Sequence, residues 1–382
     1  MLNIPNLLIV FIKYALNGED LPEQYRELAT EEKKEVIQYA RQQALLPFLQ
    51  YFDIFLAEDV QQLFLQSFVG YIYDDSRKKA EIEELLDLFE QNEIFCIPLK
   101  GIRTKEYYPA SELRSMGDLD ILYKKEQTAV LRKTMGNVEF EYEGEASKHD
   151  HYRRDGLIVE MHKTLMPAES KAYTYFLESW NRAVPQKGKS YVYQMSLEDH
   201  YIYTLYHLTE HFLGGGIGIR MVLDIYILSG QPGMDWYYIE NELILLGIKE
   251  FSDHILHLAN VWFAATDYNS DDLELEEYIV NGGVYGREDN LIKNTRVRYR
   301  SRMHFLMHVI FPPYKVMQGV FPWLHTPLLL PMSWVIRFKR VWTKRRENIH
   351  LQFDRASKMK AEEYVNIRKQ KEFLKRMGLS EF

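Results

Sequence analysis

The sequence predicts an α+β protein, in which a small mixed-sheet domain is flanked by helical regions on both sides. Residues 1 to about 90 carry apolar residues at three- and four-residue spacings with charged residues between them, which is typical of amphipathic helices. The pattern changes at "IFCIPLKG" (94–101), a short apolar run that ends at a glycine. Helical periodicity returns at "SLEDHYIYTLYHLTEHFL" (196–213). The predicted domains are therefore residues 1–90, 91–195 and 196–382.

Within the central domain, the elements follow one another at short intervals. A strand at "IFCIPLKG" is followed by a short helix at "IRTKEYYP", a loop at "ASELRSMG" and a strand at "DLDILY". A helix at "KEQTAVLRKTMG" and a strand at "VEFEYE" come next. The segments "HDHYRR" and "LIVEMH" are joined by Asp155-Gly156, a pair that favours a tight two-residue turn, so they are predicted to form a hairpin.

Composition is that of an ordinary soluble globular protein. Of the 382 residues, 46% are hydrophobic and 27% are charged. The single cysteine, Cys96, excludes an intramolecular disulfide and is expected to be a small buried hydrophobe. The apolar "NLLIVFIKYAL" lacks a preceding basic region and contains Lys13, and a second apolar stretch (305–336) is broken by five prolines. We expect a cytoplasmic protein with no transmembrane segment, and peripheral membrane contact stays open.

Charge is distributed unevenly along the chain. Residues 337–382 contain 14 Lys and Arg against 6 Asp and Glu, although the whole chain has a net charge of −8. A basic tail of this kind is usually a solvated helix face. It could also contact a polyanion, such as RNA or anionic lipid, or the acidic body of the protein itself.

The residues with the clearest chemical pattern lie in the central domain. Asp118 and Asp120 are separated by one residue at the start of a strand, so their side chains point to the same face. Two carboxylates on one face repel each other unless a cation lies between them. Glu160, in the later strand "LIVEMH", could complete an oxygen-rich Mg²⁺ site if it folds back onto the aspartates. The turn at Lys100-Gly101 offers free backbone N–H groups, which bind phosphate oxygens readily.

These residues also carry a resemblance. The run "PLKG…YYP…LRSMGDLDIL…IVEMH" resembles the bacterial family of uncharacterised nucleotidyltransferases, a branch of the polymerase-beta-like nucleotidyltransferase superfamily. The resemblance extends more loosely through "GGGIGIRMVLDI" to "LLPMSW". It implies a short mixed sheet flanked by helices, in which Asp118, Asp120 and Glu160 are catalytic and hold Mg²⁺ or Mn²⁺ that carries a nucleoside triphosphate.

One departure from the superfamily affects the phosphate site. Most of its members have Gly-Ser at the turn, where this chain has Lys100-Gly101. We therefore expect Lys100 to contact phosphate as a point charge and Thr104 to supply the missing hydroxyl. The expected substrate-binding residues are Lys100, Gly101, Thr104, Arg114, His162, His207, His211 and Arg220.

The resemblance implies that an acceptor hydroxyl attacks the α-phosphate and expels pyrophosphate. Glu160 is expected to take the acceptor's proton as general base. Arg114, just before the aspartate pair, could offset charge on the leaving group, or form a surface ion pair. His162 is expected to support the site or to pack rather than to bind metal. The sequence does not identify the acceptor; the candidates are a sugar or sugar phosphate, a protein hydroxyl, an RNA 3′ end and an antibiotic.

Two alternatives come from other features. "HLTEH" (207–211) fits H-x-x-E-H, the inverted zinc-peptidase pattern, with Glu210 as base and a third ligand from Glu274, Glu276 or Glu277. Within the resemblance, His207, His211, Arg220 and Asp224 instead form a polar seam that faces the central domain and helps to form the acceptor pocket. The second alternative is a nucleotide-sensing or scaffold protein with the same fold and no turnover, which the Lys-Gly turn favours.

Overall fold

The structure is a computed structural model that describes residues 3–145, 148–168, 170–282, 294, 307, 310–321, 323–344 and 361–380. It confirms the α+β class: a mixed sheet lies between helical regions. The helices are α1 (Ile4–Asn17), α2 (Glu23–Arg26), α3 (Thr30–Gln42), α4 (Gln61–Gln91), α5 (Lys100–Lys105), α6 (Thr128–Asn137), α7 (Tyr173–Leu177), α8 (Ser179–Arg182), α9 (Leu197–Gly214), α10 (Ile219–Ser229), α11 (Trp236–Leu245), α12 (Lys249–Phe263), α13 (Ser270–Gly282), α14 (Tyr314–Val320), α15 (Leu330–Lys344) and α16 (Ala361–Arg376).

The strands form a five-stranded sheet and a short two-stranded one. They are β1 (Cys96–Pro98), β2 (Leu119–Tyr123), β3 (Glu141–Glu145), β4 (His149–Arg154), β5 (Leu157–His162), β6 (Val184–Pro185) and β7 (Tyr193–Gln194). The larger sheet has the order β1-β2-β5-β4-β3, in which only the β2–β5 pair is parallel. β6 pairs with β7. Each of the five larger strands overlaps a segment that the sequence predicts as a strand.

The β4–β5 hairpin is confirmed. Asp155 and Gly156 adopt φ of 47° and 85°, the left-handed values that a tight hairpin turn requires. The turn sets the register so that His151 lies opposite Glu160 and His149 opposite His162. It therefore decides which side chains of β4 share a face with those of β5.

Side chains alternate between the two faces of the sheet, and the two faces differ in chemistry. One face carries Leu119, Ile121, Val159 and Met161, which are buried in an apolar core that α4 and α6 also line. The opposite face carries Asp120 and Glu160 on the neighbouring strands β2 and β5. The same alternation that buries one face thus presents the carboxylates together on the other.

A second, larger core joins the helices from the two ends of the chain. It contains Leu8 and Phe11 of α1 together with Ile225 of α10 and Leu258 of α12. The N-terminal helices therefore pack on the helices that follow the sheet. The predicted division at residues 90 and 195 stays a prediction.

Three further expectations concern the rest of the chain. Cys96 is buried, and burial raises the pKa of its thiol, as for a small hydrophobe. No helix in the described part of the chain is long and apolar enough to cross a membrane. Much of the basic tail, including 345–360, lies outside the described residues. Within α16, Arg376 pairs with Glu274 and Asp271, which are part of the acidic body.

Candidate active site

The carboxylates that the sequence singles out meet at one cavity. Asp120 of β2 is the direct cross-strand neighbour of Glu160 on the parallel strand β5, so the two side chains stand next to each other on the same face. Asp118 lies just before β2 at the exposed rim. All three line a cavity of about 310 Å³. The remaining lining residues are Lys100, Gly101, Thr104, Arg114, Ser115, Met116, Gly117, Lys148, His162, Thr204, His207, Leu208, His211, Arg220, Met221 and Asp224.

Asp120 is the acid with the closest basic partners. Its side chain is 6% exposed; Lys100 Nζ donates to its Oδ1 at 3.2 Å, and His162 Nε2 lies 2.7 Å from the same oxygen. Burial by itself raises the pKa of Asp120, but Lys100 and the hydrogen bond from His162 outweigh burial and lower the pKa below its usual range. Asp120 is therefore a carboxylate across the physiological pH range.

The other two acids respond differently. Desolvation and then the charges of Asp120 and Glu160 raise the pKa of Asp118. For Glu160, burial raises the pKa, but the hydrogen bond with His162 and the charges of His149 and His162 together outweigh it and lower the pKa. Part of the rise at Asp118 comes from repulsion between neighbouring carboxylates, which a bound cation would relieve.

The turn at Lys100-Gly101 brings the backbone close to the cavity. Lys100 adopts φ of 36°, in the left-handed region that a lysine rarely occupies. A Cβ at Gly101 would lie 3.1 Å from both Arg114 Nη1 and Met116 Cγ, so a larger residue would have to displace these side chains. The turn thus points the Lys100 ammonium at Asp120. The sequence predicts that the same ammonium contacts a phosphate.

Thr104 and Arg114 make contacts that the sequence does not reveal. The Thr104 hydroxyl is fully buried and lies 3.0 Å from His200 Nε2 of α9, so it is engaged in an interhelical contact. Arg114 donates to Asp224 of α10 through Nε and Nη2, both at 2.8 Å. Arg114 is therefore neither a surface ion pair nor a free cation: it forms a buried bidentate pair with Asp224.

Helices α9 and α10 form the wall opposite the sheet. His207 and His211 lie one turn apart on α9, with their Nε2 atoms 3.0 Å apart. Burial and then the nearby Lys100 lower the pKa of both rings, that of His211 to about 4, so both are neutral at pH 7. Arg220 of α10 has its Nη1 3.4 Å from Ser115 Oγ, and its Nε has no hydrogen-bond partner among the described residues.

Comparison with known proteins now adds to this geometry. The model of the family described as uncharacterised nucleotidyltransferase matches residues 29–264, well over half of the chain. The chain belongs to this family. It is therefore an enzyme of the nucleotidyltransferase class, as the resemblance at the strand motifs implies. The matched range includes the sheet and both walls of the cavity.

Two further comparisons add little. No curated protein is significantly similar to the chain. The solution structure of the antibiotic-resistance factor ANT(2'')-Ia is similar at 13% identity and a TM-score of 0.28, over 53% of this chain and 97% of that one. A TM-score this low supports no argument about this enzyme.

The residues of this nucleotidyltransferase fit a divalent cation. Asp118, Asp120 and Glu160 supply the hard oxygen ligands that Mg²⁺ and Mn²⁺ accept, and they line one cavity. Desolvation and then the charges of Asp120 and Glu160 raise the pKa of Asp118, as expected where carboxylates lie close together. Divalent metals are general in this class of enzymes, and the identity of the ion belongs to the proposal below.

The peptidase alternative lacks a third ligand. Glu274 pairs with Arg376, and Glu276 accepts hydrogen bonds from Trp262 and Tyr268. Within the ranges that the structure describes, neither His207 nor His211 belongs to a cluster of three metal-ligating side chains. The two histidines instead line the nucleotidyltransferase cavity.

Sequence reasoning missed a group of basic and imidazole side chains around Glu160. His149 Nε2 and His151 Nδ1 of β4 lie 3.6 and 3.8 Å from the Glu160 carboxylate oxygens. Lys148, directly before β4, lines the cavity. The signal was present, because a two-residue Asp155-Gly156 turn places His151 opposite Glu160.

Proposed function

We propose that the enzyme transfers a nucleoside monophosphate from a nucleoside triphosphate to an acceptor hydroxyl, with Mg²⁺ held by Asp118, Asp120 and Glu160. The observation that carries the proposal is the register of β2 and β5, which makes Asp120 and Glu160 direct neighbours at a cavity of about 310 Å³. Two aspartates at a strand end are common, whereas an aspartate pair and a third acid from another strand at one cavity are far more specific.

The ion, when bound, supplies charge neutralisation to the triphosphate oxygens. Glu160 is ionised at neutral pH because its pKa is lowered, so it can accept the proton of the acceptor hydroxyl. Lys100 and Arg220 line the same cavity and present positive charge to phosphate oxygens. Arg114 orients the site indirectly, because its charge is neutralised by Asp224.

The cavity also bears on the acceptor. Its volume is at the lower end of the range for small-molecule pockets, roughly 300 to 1,000 Å³. A sugar, a nucleotide end or a protein side chain would therefore present a single hydroxyl at its mouth. His207 and His211, neutral at pH 7, are proposed to contact this acceptor from the helical wall. We also propose that the basic tail contacts a polyanionic partner.

The test follows a label. The full-length enzyme is incubated with each α-labelled nucleoside triphosphate, Mg²⁺ or Mn²⁺, and a lysate, and the labelled product is isolated. We expect label in one class of acceptor with the unaltered enzyme and with Asp253→Asn, a control at an exposed aspartate that pairs with Lys249. Asp120→Ala is expected to give none.

Two results would contradict the proposal. Equal labelling by Asp120→Ala would show that the carboxylates do not carry the reaction. Nucleotide that binds in equilibrium dialysis but never transfers its label would instead favour the sensing or scaffold role.

A further inference from the structure

Three side chains beside the proposed magnesium site have a different ligand chemistry. His149 of β4, with Glu160 and His162 of β5, forms a cluster whose potential ligand atoms all lie within 4.8 Å of one another. The Glu160 Oε2 atom is 3.6 Å from His149 Nε2 and 3.5 Å from His162 Nε2. Two imidazole nitrogens thus converge on one carboxylate oxygen.

These separations are those of ligands around a small metal ion. An ion with tetrahedral bonds of about 2.1 Å holds its ligand atoms about 3.4 Å apart. Both measured separations from Glu160 Oε2 are within about 0.2 Å of that value. Imidazole nitrogen suits Zn²⁺ and its transition-series neighbours, whereas Mg²⁺ prefers oxygen and keeps several waters.

The sheet holds the cluster in place. His149 and His162 are cross-strand partners, and their rings are in tilted contact with centroids 4.8 Å apart. The Nδ1 atoms of both rings are buried and have no hydrogen-bond partner among the described residues. Besides their contacts with Glu160, the Nε2 atoms make contacts that an ion would replace, His162 with Asp120 at 2.7 Å and His149 with His151 at 2.8 Å.

We propose that His149, Glu160 and His162 form a binding site for a borderline divalent transition ion, Zn²⁺ before the others, separate from the all-carboxylate Mg²⁺ site and sharing Glu160 with it. The site rests on the contacts above and does not depend on the proposed transfer reaction. An enzyme that transfers no label could still bind Zn²⁺ here, so the two proposals fail separately.

The experiment is a calorimetric titration of the metal-stripped full-length enzyme with ZnCl₂ in a millimolar excess of Mg²⁺. We expect one equivalent to bind, and His149→Gln to weaken binding at least about tenfold. The matched control is His254→Gln, at a half-buried histidine whose Nε2 lies 3.1 Å from the Arg376 carbonyl oxygen, and this variant is expected to bind Zn²⁺ normally. Asp118→Asn, at the rim of the carboxylate site, is also expected to retain Zn²⁺ binding.

Three outcomes overturn the proposal: no Zn²⁺ bound in the presence of Mg²⁺, unchanged binding by His149→Gln, or an equal loss in Asp118→Asn and His149→Gln. Anomalous scattering from a zinc-soaked crystal of the unaltered enzyme needs no variant to fold. An ion about 2.0 to 2.2 Å from nitrogens of His149 and His162 supports the site, and an ion elsewhere refutes it.

Discussion

Two buried aspartates line the same cavity and yet differ in how their charge is balanced. Asp120 on the sheet is 6% exposed and Asp224 on α10 is 3% exposed. Asp224 accepts two hydrogen bonds from Arg114 and one from Tyr108, all at 2.8 Å. Asp120 has Lys100 and His162 as partners, and it also has two further carboxylates nearby, Asp118 and Glu160.

We call the Arg114–Asp224 pair the joint, because it connects two regions of the fold, and the acids around Asp120 the site. At Asp224, one bidentate pair satisfies both charges and links the loop before β2 to α10, so nothing is left to bind a ligand. At Asp120, three acids lie at one cavity that Lys100, Lys148 and Arg220 also line, and burial together with the charges of Asp120 and Glu160 raises the pKa of Asp118. Burial and a basic partner therefore do not distinguish the two aspartates, whereas the number of acids and bases that face one cavity does.

The largest effect that this comparison predicts is on catalysis. Asp120→Asn should lower label transfer on the order of 10³-fold, since a bound metal contributes several kcal/mol to transition-state stabilisation and each tenfold change corresponds to about 1.4 kcal/mol. Its free energy of unfolding, measured with urea, should fall by about 1 to 3 kcal/mol, the range for charged hydrogen bonds, because Lys100 and His162 stabilise the carboxylate in the fold. If Asp120→Asn transferred label at a rate within tenfold of the unaltered enzyme, Asp120 would have a structural role like that of Asp224.

The reverse pattern is expected at the joint. Asp224→Asn leaves the buried Arg114 guanidinium without its counter-charge and should lower the free energy of unfolding by about 3 to 5 kcal/mol. Urea unfolding of the variant measures the loss. The double variant Arg114→Met with Asp224→Leu is the control, since it removes both charges and should recover most of the stability. An unchanged midpoint in Asp224→Asn would show that the pair does not hold the two regions together.

The grouping of the acids and histidines around the cavity could be predicted from the sequence. The spacing of Asp118 and Asp120 and the acid in "LIVEMH" predict a group of carboxylates, although Asp118 lies in the bend before β2 and not on the strand itself. The positions of His149 and His151 could also have been derived, because the two-residue turn fixes the register of β4 against β5. These relations are local, and local periodicity is what a single sequence records best.

The joint could not be predicted in the same way. Arg114 and Asp224 are 110 residues apart, and no periodicity or turn relates them. The same holds for Thr104 and His200, whose contact the sequence does not reveal, and the expected phosphate contact of Thr104 stays a prediction. Long-range partners depend on how helices pack on the sheet, which composition and spacing do not encode.

A pH experiment sharpens the comparison on the side of the joint. His200 is 2% exposed, and burial, then the charges of Arg103 and Arg114, lower its pKa to about 3. As the pH falls through about 6.5, the unfolded chain takes up a proton at this ring and the folded chain does not, so stability falls with pH between about 6.5 and 3.

By pH 5 the loss from His200 should reach about 2 kcal/mol relative to neutral pH. His200→Gln should remove that part of the slope in urea unfolding at pH 7, 6 and 5, whereas His254→Gln, at a half-buried ring, should keep it. Parallel slopes for the unaltered enzyme and His200→Gln would show that His200 is not held neutral in the fold.

The smallest effect is expected where the two regions meet, at Arg220. Arg220 and Asp224 lie one turn apart on α10, but Asp224 bonds to Arg114 and Tyr108, and Arg220 makes only long contacts to Ser115 at 3.4 and 3.5 Å. Its charge is therefore available to a phosphate in the cavity. Arg220→Gln should weaken nucleotide binding in equilibrium dialysis about tenfold, the value of one charged hydrogen bond. The unfolding midpoint should stay unchanged, because no buried pair is broken. If Arg220→Gln lost stability but kept its affinity for nucleotide, Arg220 would have a structural role and would not bind phosphate.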